Sequence, residues 1–420
     1  MALSDLGHQV LLLERRNHLG GRAYSFTDAK TGDQVDNGQH LFMQCYHETV
    51  AFLDRIGCLH KLKFQSKPRI DFLDRQGWDK FECPPLPSPF HVLAGLLRMD
   101  GLSVGDKWRA LRVGRALRSR AQNHLTVDQW FDRLGQSDNI RRRFWYPMAI
   151  ATLNEKPEVA SAAMMKVVLL EGFGGDRTGS NIGISRVPLS DLYTEAARRF
   201  IEGHGGQLRT GAQVSRLIGE NGRMVRVEMK DGTTIEADYF ISAVTHDALL
   251  QILPESLRRG EFAGLATLSS SPIVSINLWF DKPVTDREFV GLIGTRIQWL
   301  FNKDAILSNG TGSNHIAIII SAAREFVDWT REALVEMAIE EFNQLLPESR
   351  SAKLVHSNVV KERDATLAHT LESDRLRPGP RTSISNLILA GDWTATGLPA
   401  TIESAVMSGH IAARIVDDRN

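Results

Sequence analysis

Residues 387–405 read LILAGDWTATGLPATIESA, and this stretch decides the fold class. Its beginning is short and apolar, which predicts a buried strand over 386–390 that ends in a Gly391-Asp392 turn. The small residues that follow predict a helix over 400–416. Because a helix start carries free N–H groups and partial positive charge, a strand, an acid and a helix in this order are typical of a fold that binds an anionic or electron-rich ligand.

The N-terminal residues have a similar character. Residues 1–6 look like the end of a helix, Gly7 like the glycine that terminates it, and residues 9–13 like a short apolar strand. Glu14 ends that strand, where an acid can accept hydrogen bonds from both hydroxyls of a ribose. A Glu at a strand end can equally be a solvated surface residue, so this position alone leaves both interpretations open.

Two loops after Glu14 add to this pattern. Gly20 and Gly21 allow the backbone to approach a pyrophosphate closely, and Arg22 can reach its charge. The polar turn over 36–40, DNGQH, follows. It is either a loop beside a bound ring system or a simple polar hairpin.

These motifs resemble the flavin-dependent amine oxidase and phytoene desaturase superfamily, in which E-x5-G-G-R follows the second strand. Residues 33–40, 186–193 and 391–403 narrow the resemblance to the squalene-associated branch, the hydroxysqualene dehydroxylases. The similarity extends over essentially the entire chain, with specific motifs at its two ends and a diffuse middle.

The resemblance implies FAD as the cofactor. It also implies that Val214 contacts the adenine through its backbone, while Asp392 binds the ribityl or pyrophosphate part. Taken singly, Asp392 could be a turn residue and Thr401 a helix cap. The residues that the resemblance assigns to the cofactor are Glu14, Gly20, Gly21, Arg22, Gly38, Val214, Gly391, Asp392, Ala400, Thr401 and Ile402.

The implied reaction is the reduction of hydroxysqualene to squalene by FADH₂, with an apolar isoprenoid as substrate. Asp36 and His40 are candidate acids for the departing oxygen by position, and either could instead shape the flavin loop. A carotenoid-type desaturase, an amine oxidase and a lipid carrier without redox turnover stay open as alternatives. Only five tyrosines in 420 residues weaken the amine oxidase alternative, since that class surrounds its substrate with aromatic rings.

The predicted fold class is α/β, a Rossmann-like FAD-binding domain with its first βα unit truncated and an inserted α+β substrate domain. Four prolines in 84–89 predict a boundary there. The expected segments are FAD-binding parts at 1–83, 186–250 and 381–420, a helical substrate or membrane-facing region at 84–185, and a substrate-domain sheet and helix at 251–380.

The glycine fingerprint G-x-G-x-x-G of dinucleotide-binding folds does not occur near the N-terminus. The family pattern would place a strand, this loop and most of a helix before Met1. A late start assignment is the favoured explanation, and a truncated copy is the alternative. As written, the chain is expected to bind FAD poorly.

Composition excludes several other classes. Lys plus Arg and Asp plus Glu are balanced at 50 each, so no global charge favours nucleic acid. The three cysteines, Cys45, Cys58 and Cys83, show neither metal-ligand nor disulfide spacing, so no metal site is expected. The absence of a secretory signal and of an apolar run of membrane-spanning length predicts a cytoplasmic protein. Nothing in the sequence indicates its oligomeric state.

Residues 90–120 carry a second clue. Val104, Trp108 and Leu111 share one side of a predicted helix, and seven Lys or Arg but only two Asp lie between Arg98 and Arg120. An apolar face beside a basic face predicts peripheral membrane association through 90–120. The alternative is a helix packed on the protein's own core. The run RRRFWY at 141–146 adds further cations beside aromatics.

Overall fold

The computed structural model describes residues 1–119, 124–307 and 312–418. The strands of these ranges, numbered in chain order, are β1 (Leu11–Leu13), β2 (Ser25–Thr27), β3 (Gln34–Asp36), β4 (Leu41–Met43), β5 (Leu62–Phe64), β6 (Arg69–Asp74), β7 (Gly77–Glu82), β8 (Ile182–Ser185), β9 (Gln207–Arg209), β10 (Val214–Glu220), β11 (Arg223–Met229), β12 (Thr234–Glu236), β13 (Phe240–Ser242), β14 (Ser270–Phe280), β15 (Phe289–Leu292), β16 (Trp299–Asn302), β17 (His315–Ile320), β18 (Leu354–Leu367) and β19 (Leu387–Leu389).

Helices connect these strands and dominate the region between β7 and β8. In chain order they are α1 (Ala2–Asp5), α2 (His47–Arg55), α3 (Phe90–Leu97), α4 (Val104–Ala116), α5 (Val127–Arg133), α6 (Asp138–Ile140), α7 (Tyr146–Leu153), α8 (Ala162–Phe173), α9 (Leu189–Gly203), α10 (His246–Ile252), α11 (Glu255–Arg259), α12 (Lys303–Ile306), α13 (Arg331–Leu345), α14 (Ser373–Leu376) and α15 (Ile402–Asp417). A π-helical turn, Arg141–Trp145, joins α6 to α7.

Short parallel strand pairs form the nucleotide-binding part of the fold. β1 pairs with β9, and β13 pairs with β19, both in parallel. Parallel pairs need crossover connections, and here the crossovers carry helices such as α9. α15 packs against β19, whose three residues are all buried. The mixed α/β class and the strand and helix expected at the C-terminus are thereby confirmed.

The largest sheet has seven strands in the order β18-β14-β17-β16-β15-β6-β7. Its two faces serve different cores, because neighbouring residues of a strand point to opposite sides. In β17, Ile316, Ile318 and Ile320 pack toward α13, whereas Ala317 and Ile319 pack toward the helices of the middle region. β6 and β7 form an antiparallel hairpin over residues 69–82. It lies in this sheet, although segment 1–83 was predicted for the FAD-binding domain; that division stays a prediction.

The arginine run at 141–143 is not a surface patch as the sequence suggested. Arg141 is buried and pairs with Asp128 and Asp132. Arg143 is buried and lies 2.6 Å from Asp74. A buried guanidinium needs such partners because its desolvation is costly. Arg141 and Arg143 therefore stabilise the helical core, and only Arg142 of the run is exposed.

Other sequence features have simple places in the fold. Cys45, Cys58 and Cys83 are buried free thiols. Within the described ranges, no group of His, Cys, Asp and Glu side chains is arranged to hold a metal ion. None of the helices described is both long enough and apolar enough to cross a membrane.

Candidate functional site

Three loops that the sequence singled out meet at one place. The Arg22 guanidinium donates to the carboxylate of Asp392, which joins the double-glycine loop to the C-terminal turn. Asn37 ties in the third loop, because its Nδ2 donates to the Arg22 carbonyl at 2.9 Å and its Oδ1 accepts from the Tyr24 N–H at 3.1 Å. The Asn37 amide also donates to Glu362 at 3.0 Å. Residues far apart in the chain thus form a single polar site.

Glycine is required in the first of these loops. Gly20 has φ +111°, and a Cβ at this position would lie 2.6 Å from the Ala23 carbonyl oxygen. Gly21 follows with φ +62°, also in the left-handed region. A side chain at Gly20 would therefore distort the turn that presents Arg22. Gly38 is different, since a Cβ there would meet nothing within 4 Å and its assignment depends on loop position alone.

Glu14 and Val214 lie together at the end of the parallel strands. The Arg16 N–H donates to Glu14 Oε1 at 2.7 Å, and the Ala212 N–H donates to the Glu14 carbonyl at 2.8 Å. Residues 212–214 therefore run beside Glu14, and Val214 packs against the same apolar cluster as Leu13. The two residues that were predicted to bind the adenosine part are neighbours.

The start of α15 is held by two polar contacts. Thr401 caps the helix by accepting the Ser404 N–H at 3.3 Å, as one of the sequence alternatives proposed. The Ala400 N–H donates to His369 Nε2 at 2.7 Å. His369 Nδ1 lies 3.0 Å from Asp374, so it carries the proton and donates. This series of hydrogen bonds fixes the backbone at Ala400, two residues before α15 begins at Ile402.

Arg377 holds the preceding loop and was missed in the sequence. Its buried guanidinium donates to four backbone carbonyls of the loop that begins at Asp392. The distances are 2.9 Å to Asp392, 3.2 Å to Trp393 and 2.8 Å to Leu398, with a fourth bond to Thr394. A fork of five donors suits such a cluster of carbonyls. No local sequence pattern indicates this role.

Asp36 is a buried carboxylate paired with Lys303, a second residue that the sequence did not indicate. Lys303 Nζ lies 2.8 Å from Asp36 Oδ2 and 2.7 Å from Gln39 Oε1. Asp36 also accepts from the Ser25 hydroxyl at 2.7 Å and the Leu189 N–H at 3.0 Å. Burial alone would raise the pKa of Asp36, but the Lys303 charge and these hydrogen bonds outweigh it and lower the pKa. This geometry favours a positioning role for Asp36 over proton donation.

His40 has a different environment from Asp36. Burial lowers the pKa of His40, and the nearby Asp36 carboxylate partly counteracts this effect. No hydrogen bond engages the His40 ring among the residues the structure describes, so neither ring nitrogen is committed to a partner in this part of the protein. Of the two candidate acids, His40 is the one with an available proton site.

His246 and Ser242 are buried polar groups without partners. Both ring nitrogens of His246 and the Ser242 hydroxyl lack a hydrogen-bond partner within the described ranges. The His246 ring packs edge-on against Trp393. Desolvation lowers the pKa of His246, the Asp247 carboxylate partly counteracts this effect, and the charges of Arg22 and Asp392 act more weakly. Unpaired buried polar groups are costly and call for an external partner.

The donor set fits a flavin dinucleotide. Arg22 supplies a cation for phosphate, and Glu14 and Asp392 supply carboxylates for sugar or ribityl hydroxyls. The Gly20 turn permits close backbone approach, and the unpaired nitrogens of His246 offer further contacts.

Comparison with known proteins agrees with this fit. The family described as flavin containing amine oxidoreductase matches residues 1–417. The chain belongs to this family. It is therefore a flavin-dependent oxidoreductase, as the motifs of the two chain ends predicted.

Its relatives include enzymes of two names. The hydroxysqualene dehydroxylase of Rhodopseudomonas palustris is 28% identical over 420 residues, which cover 99% of this chain and 94% of the relative. The 15-cis-phytoene desaturase of an Oncidium hybrid cultivar is 25% identical over 443 residues, covering 99% of this chain and 74% of the relative. The Rhodopseudomonas relative confirms the resemblance to hydroxysqualene dehydroxylases that the motifs indicated.

Solved structures share the fold. An oxidoreductase from Methanosarcina mazei superposes with a TM-score of 0.75 at 18% identity, over 99% of this chain and 96% of that one. Cyclohexylamine oxidase from Brevibacterium oxydans IH-35A gives a TM-score of 0.71 at 13% identity, over 100% and 95% of the two chains. At such identities the likeness concerns the fold.

Proposed function

We propose that this protein is an FAD-dependent reductase that converts hydroxysqualene to squalene. The observation that carries the proposal is the extent of the match. The chain spans 94% of the Rhodopseudomonas hydroxysqualene dehydroxylase but only 74% of the Oncidium phytoene desaturase, at similar identity. The site supports a dinucleotide form of the flavin, because Glu14 and Val214 form a separate end that suits an adenosine.

In this reaction a C–O bond breaks and a C–H bond forms, and the oxygen leaves as water. Bound reduced flavin would supply the hydride. Arg22, Glu14 and Asp392 would hold the cofactor's polar groups. Arg377 and His369 keep the loop and helix start beside it in place. The departing oxygen needs one proton, and we assign its donation to His40, with Asp36 and Lys303 fixing the loop that carries this residue.

The first test is direct conversion. Purified protein with added FAD, reduced anaerobically with dithionite, is expected to convert hydroxysqualene to squalene, measured by gas chromatography with mass detection. The same protein with oxidised FAD is the control and is expected to give no squalene. Parallel assays offer phytoene with a quinone acceptor and a primary amine with oxygen. Phytoene desaturation or amine oxidation without squalene formation would contradict the proposal in favour of the corresponding alternative. Absence of all three activities in protein that shows flavin absorbance would overturn the proposal in favour of a carrier.

His40→Gln tests the proton donor. We expect kcat to fall by about 100-fold or more, because general acid catalysis typically contributes factors of this order. Flavin absorbance should be retained. The wild-type rate is expected to rise as the pH falls below 6.5, the ordinary pKa of histidine, since burial lowers the pKa of His40. His60→Gln, at an exposed histidine, is the matched control. An unchanged kcat in His40→Gln would remove His40 from the mechanism.

A further inference from the structure

Large apolar side chains are exposed on the outer face of α3 and α4. The exposed fractions are 61% for Phe90 and 49% for Leu97 on α3, and 72% for Val104 and 69% for Trp108 on α4. Phe90 and Leu97 are two helical turns apart, and Val104 and Trp108 are one turn apart, so each pair shares a face. The two helices contact each other. We call these four residues the apolar patch.

The patch does not result from a loosely packed helix. The opposite side of α4 buries Asp106, Ala110 and Val113. Asp106 accepts the Ser103 N–H at 3.0 Å and the Asn139 amide at 2.9 Å, which fixes the start of α4. The outward direction of Trp108 is therefore set by firm packing beneath it. Trp108 therefore does not pack on the protein's own core, which was the alternative interpretation of this helix. Leu111, which was expected on the same side, is half-buried.

Neighbouring elements extend the patch. Leu86, in the loop before α3, is 41% exposed, and Leu170, on α8, is 40% exposed. The Ser88 hydroxyl donates to the Phe173 carbonyl at 2.7 Å, which brings the end of α8 next to this loop. The loop with Leu86 and the end of α8 thus lie next to each other beside the start of α3. An exposed apolar cluster of this kind marks an interaction surface.

Basic side chains accompany the patch. Six of them lie in or next to α3 and α4, and in the described part of the chain none of these six forms an ion pair with a carboxylate. Continuing along the exposed side of α4 from Trp108, the residues reached are Arg112 and Arg115. The full set is Arg98, Lys107, Arg109, Arg112, Arg115 and Arg118.

We propose that the apolar patch and these cations dock the protein on a bilayer that contains anionic phospholipid. Insertion of Phe90 and Trp108 removes apolar surface from water, and an indole is favoured at the headgroup level. The unpaired cations complement the negative surface potential of such lipids. A protein partner would need carboxylates placed opposite each of the six cations. An anionic bilayer presents negative charge at every position along its surface, so it matches the six cations without such placement. The proposal is independent of the substrate proposed above.

The test is cosedimentation with vesicles of phosphatidylcholine, with and without phosphatidylglycerol. Wild-type protein is expected to bind the anionic vesicles and to be released by high salt. The double variant Phe90→Glu/Trp108→Glu is expected to bind at least about tenfold more weakly. It loses two apolar side chains that would insert and gains two negative charges that the anionic lipid repels. Arg115→Glu/Arg118→Glu should lose the preference for phosphatidylglycerol.

Val355→Glu, at an exposed valine of β18, is the matched control for the apolar variant. Arg258→Glu/Arg331→Glu, at two exposed arginines, is the control for the charge variant. Both controls should bind vesicles like the wild type. Circular dichroism melting verifies that all variants fold. Failure of the wild type to bind anionic vesicles would overturn the proposal, as would equal losses in the controls. A different result would show that the patch is a protein interface: the wild type does not bind vesicles but forms an oligomer in size-exclusion chromatography, and Phe90→Glu/Trp108→Glu dissociates that oligomer.

Discussion

Lys303→Met is expected to lower the free energy of unfolding by about 3–5 kcal/mol, because it leaves the Asp36 carboxylate buried without its counter-ion. Lys303 and Asp36 are both almost fully buried, and their charged atoms lie 2.8 Å apart. The Ser25 and Leu189 hydrogen bonds to Asp36 remain in the variant, but they supply only partial charge. Urea unfolding followed by circular dichroism measures the loss.

A double-mutant cycle separates the pair from other effects. Asp36→Asn alone should also destabilise, since it leaves the Lys303 ammonium unpaired. The combination Lys303→Met/Asp36→Asn should be more stable than the sum of the two single losses predicts. Lys230→Met, at an exposed lysine, is the control and should change stability by less than about 0.5 kcal/mol. A loss below about 1 kcal/mol in Lys303→Met would contradict a paired, desolvated carboxylate at Asp36.

Arg377→Met is expected to destabilise the fold by at least about 3 kcal/mol and to weaken flavin binding. The variant leaves the carbonyls of Asp392, Trp393 and Leu398 without their donor, along with that of Thr394. Hydrogen bonds to a charged group contribute about 1.5–3 kcal/mol each, although losses at one site do not add fully. Because the loop also carries the Asp392 side chain, its displacement changes the carboxylate that pairs with Arg22.

Arg377→Lys distinguishes geometry from charge. A lysine keeps the positive charge but lacks the planar fork, so we expect an intermediate stability and still weakened flavin binding. Unfolding in urea and titration with FAD by fluorescence quenching give the two readouts. Arg381→Met, at an exposed arginine nearby, should behave like the wild type in both. Normal flavin affinity in Arg377→Met would mean that the loop keeps its shape without the guanidinium.

The sequence predicted the elements whose signal is local. The strand expected over 386–390 is Leu387–Leu389, and the helix expected over 400–416 is Ile402–Asp417, because an apolar run, a glycine and a cap each act over a few residues. The family motifs assigned Arg22 and Asp392 to the same cofactor, but the ion pair between them was not predicted. The cofactor and catalytic assignments of individual residues stay predictions.

Residues whose role depends on a distant partner could not be predicted in this way. Lys303 acquires its function from Asp36, 267 positions away, and nothing in its local context differs from that of a surface lysine. Arg377 is similar, since its four acceptors are backbone atoms without a sequence signature. The opposite error occurred at Arg141 and Arg143, where a run of cations suggested a surface but tertiary partners bury it.

The seven-stranded sheet has a consequence for how this chain folds during synthesis. Its hairpin, β6 and β7, leaves the ribosome early, but its partner β15 follows about 200 residues later. At about 5–20 residues per second, the hairpin waits on the order of 10–40 s with an unpaired edge and with Phe72 lacking its later neighbours Gly291 and Trp299. Nascent chains of this protein are therefore candidates for chaperone capture in that interval, and fragments that end before Phe289 should aggregate rather than fold.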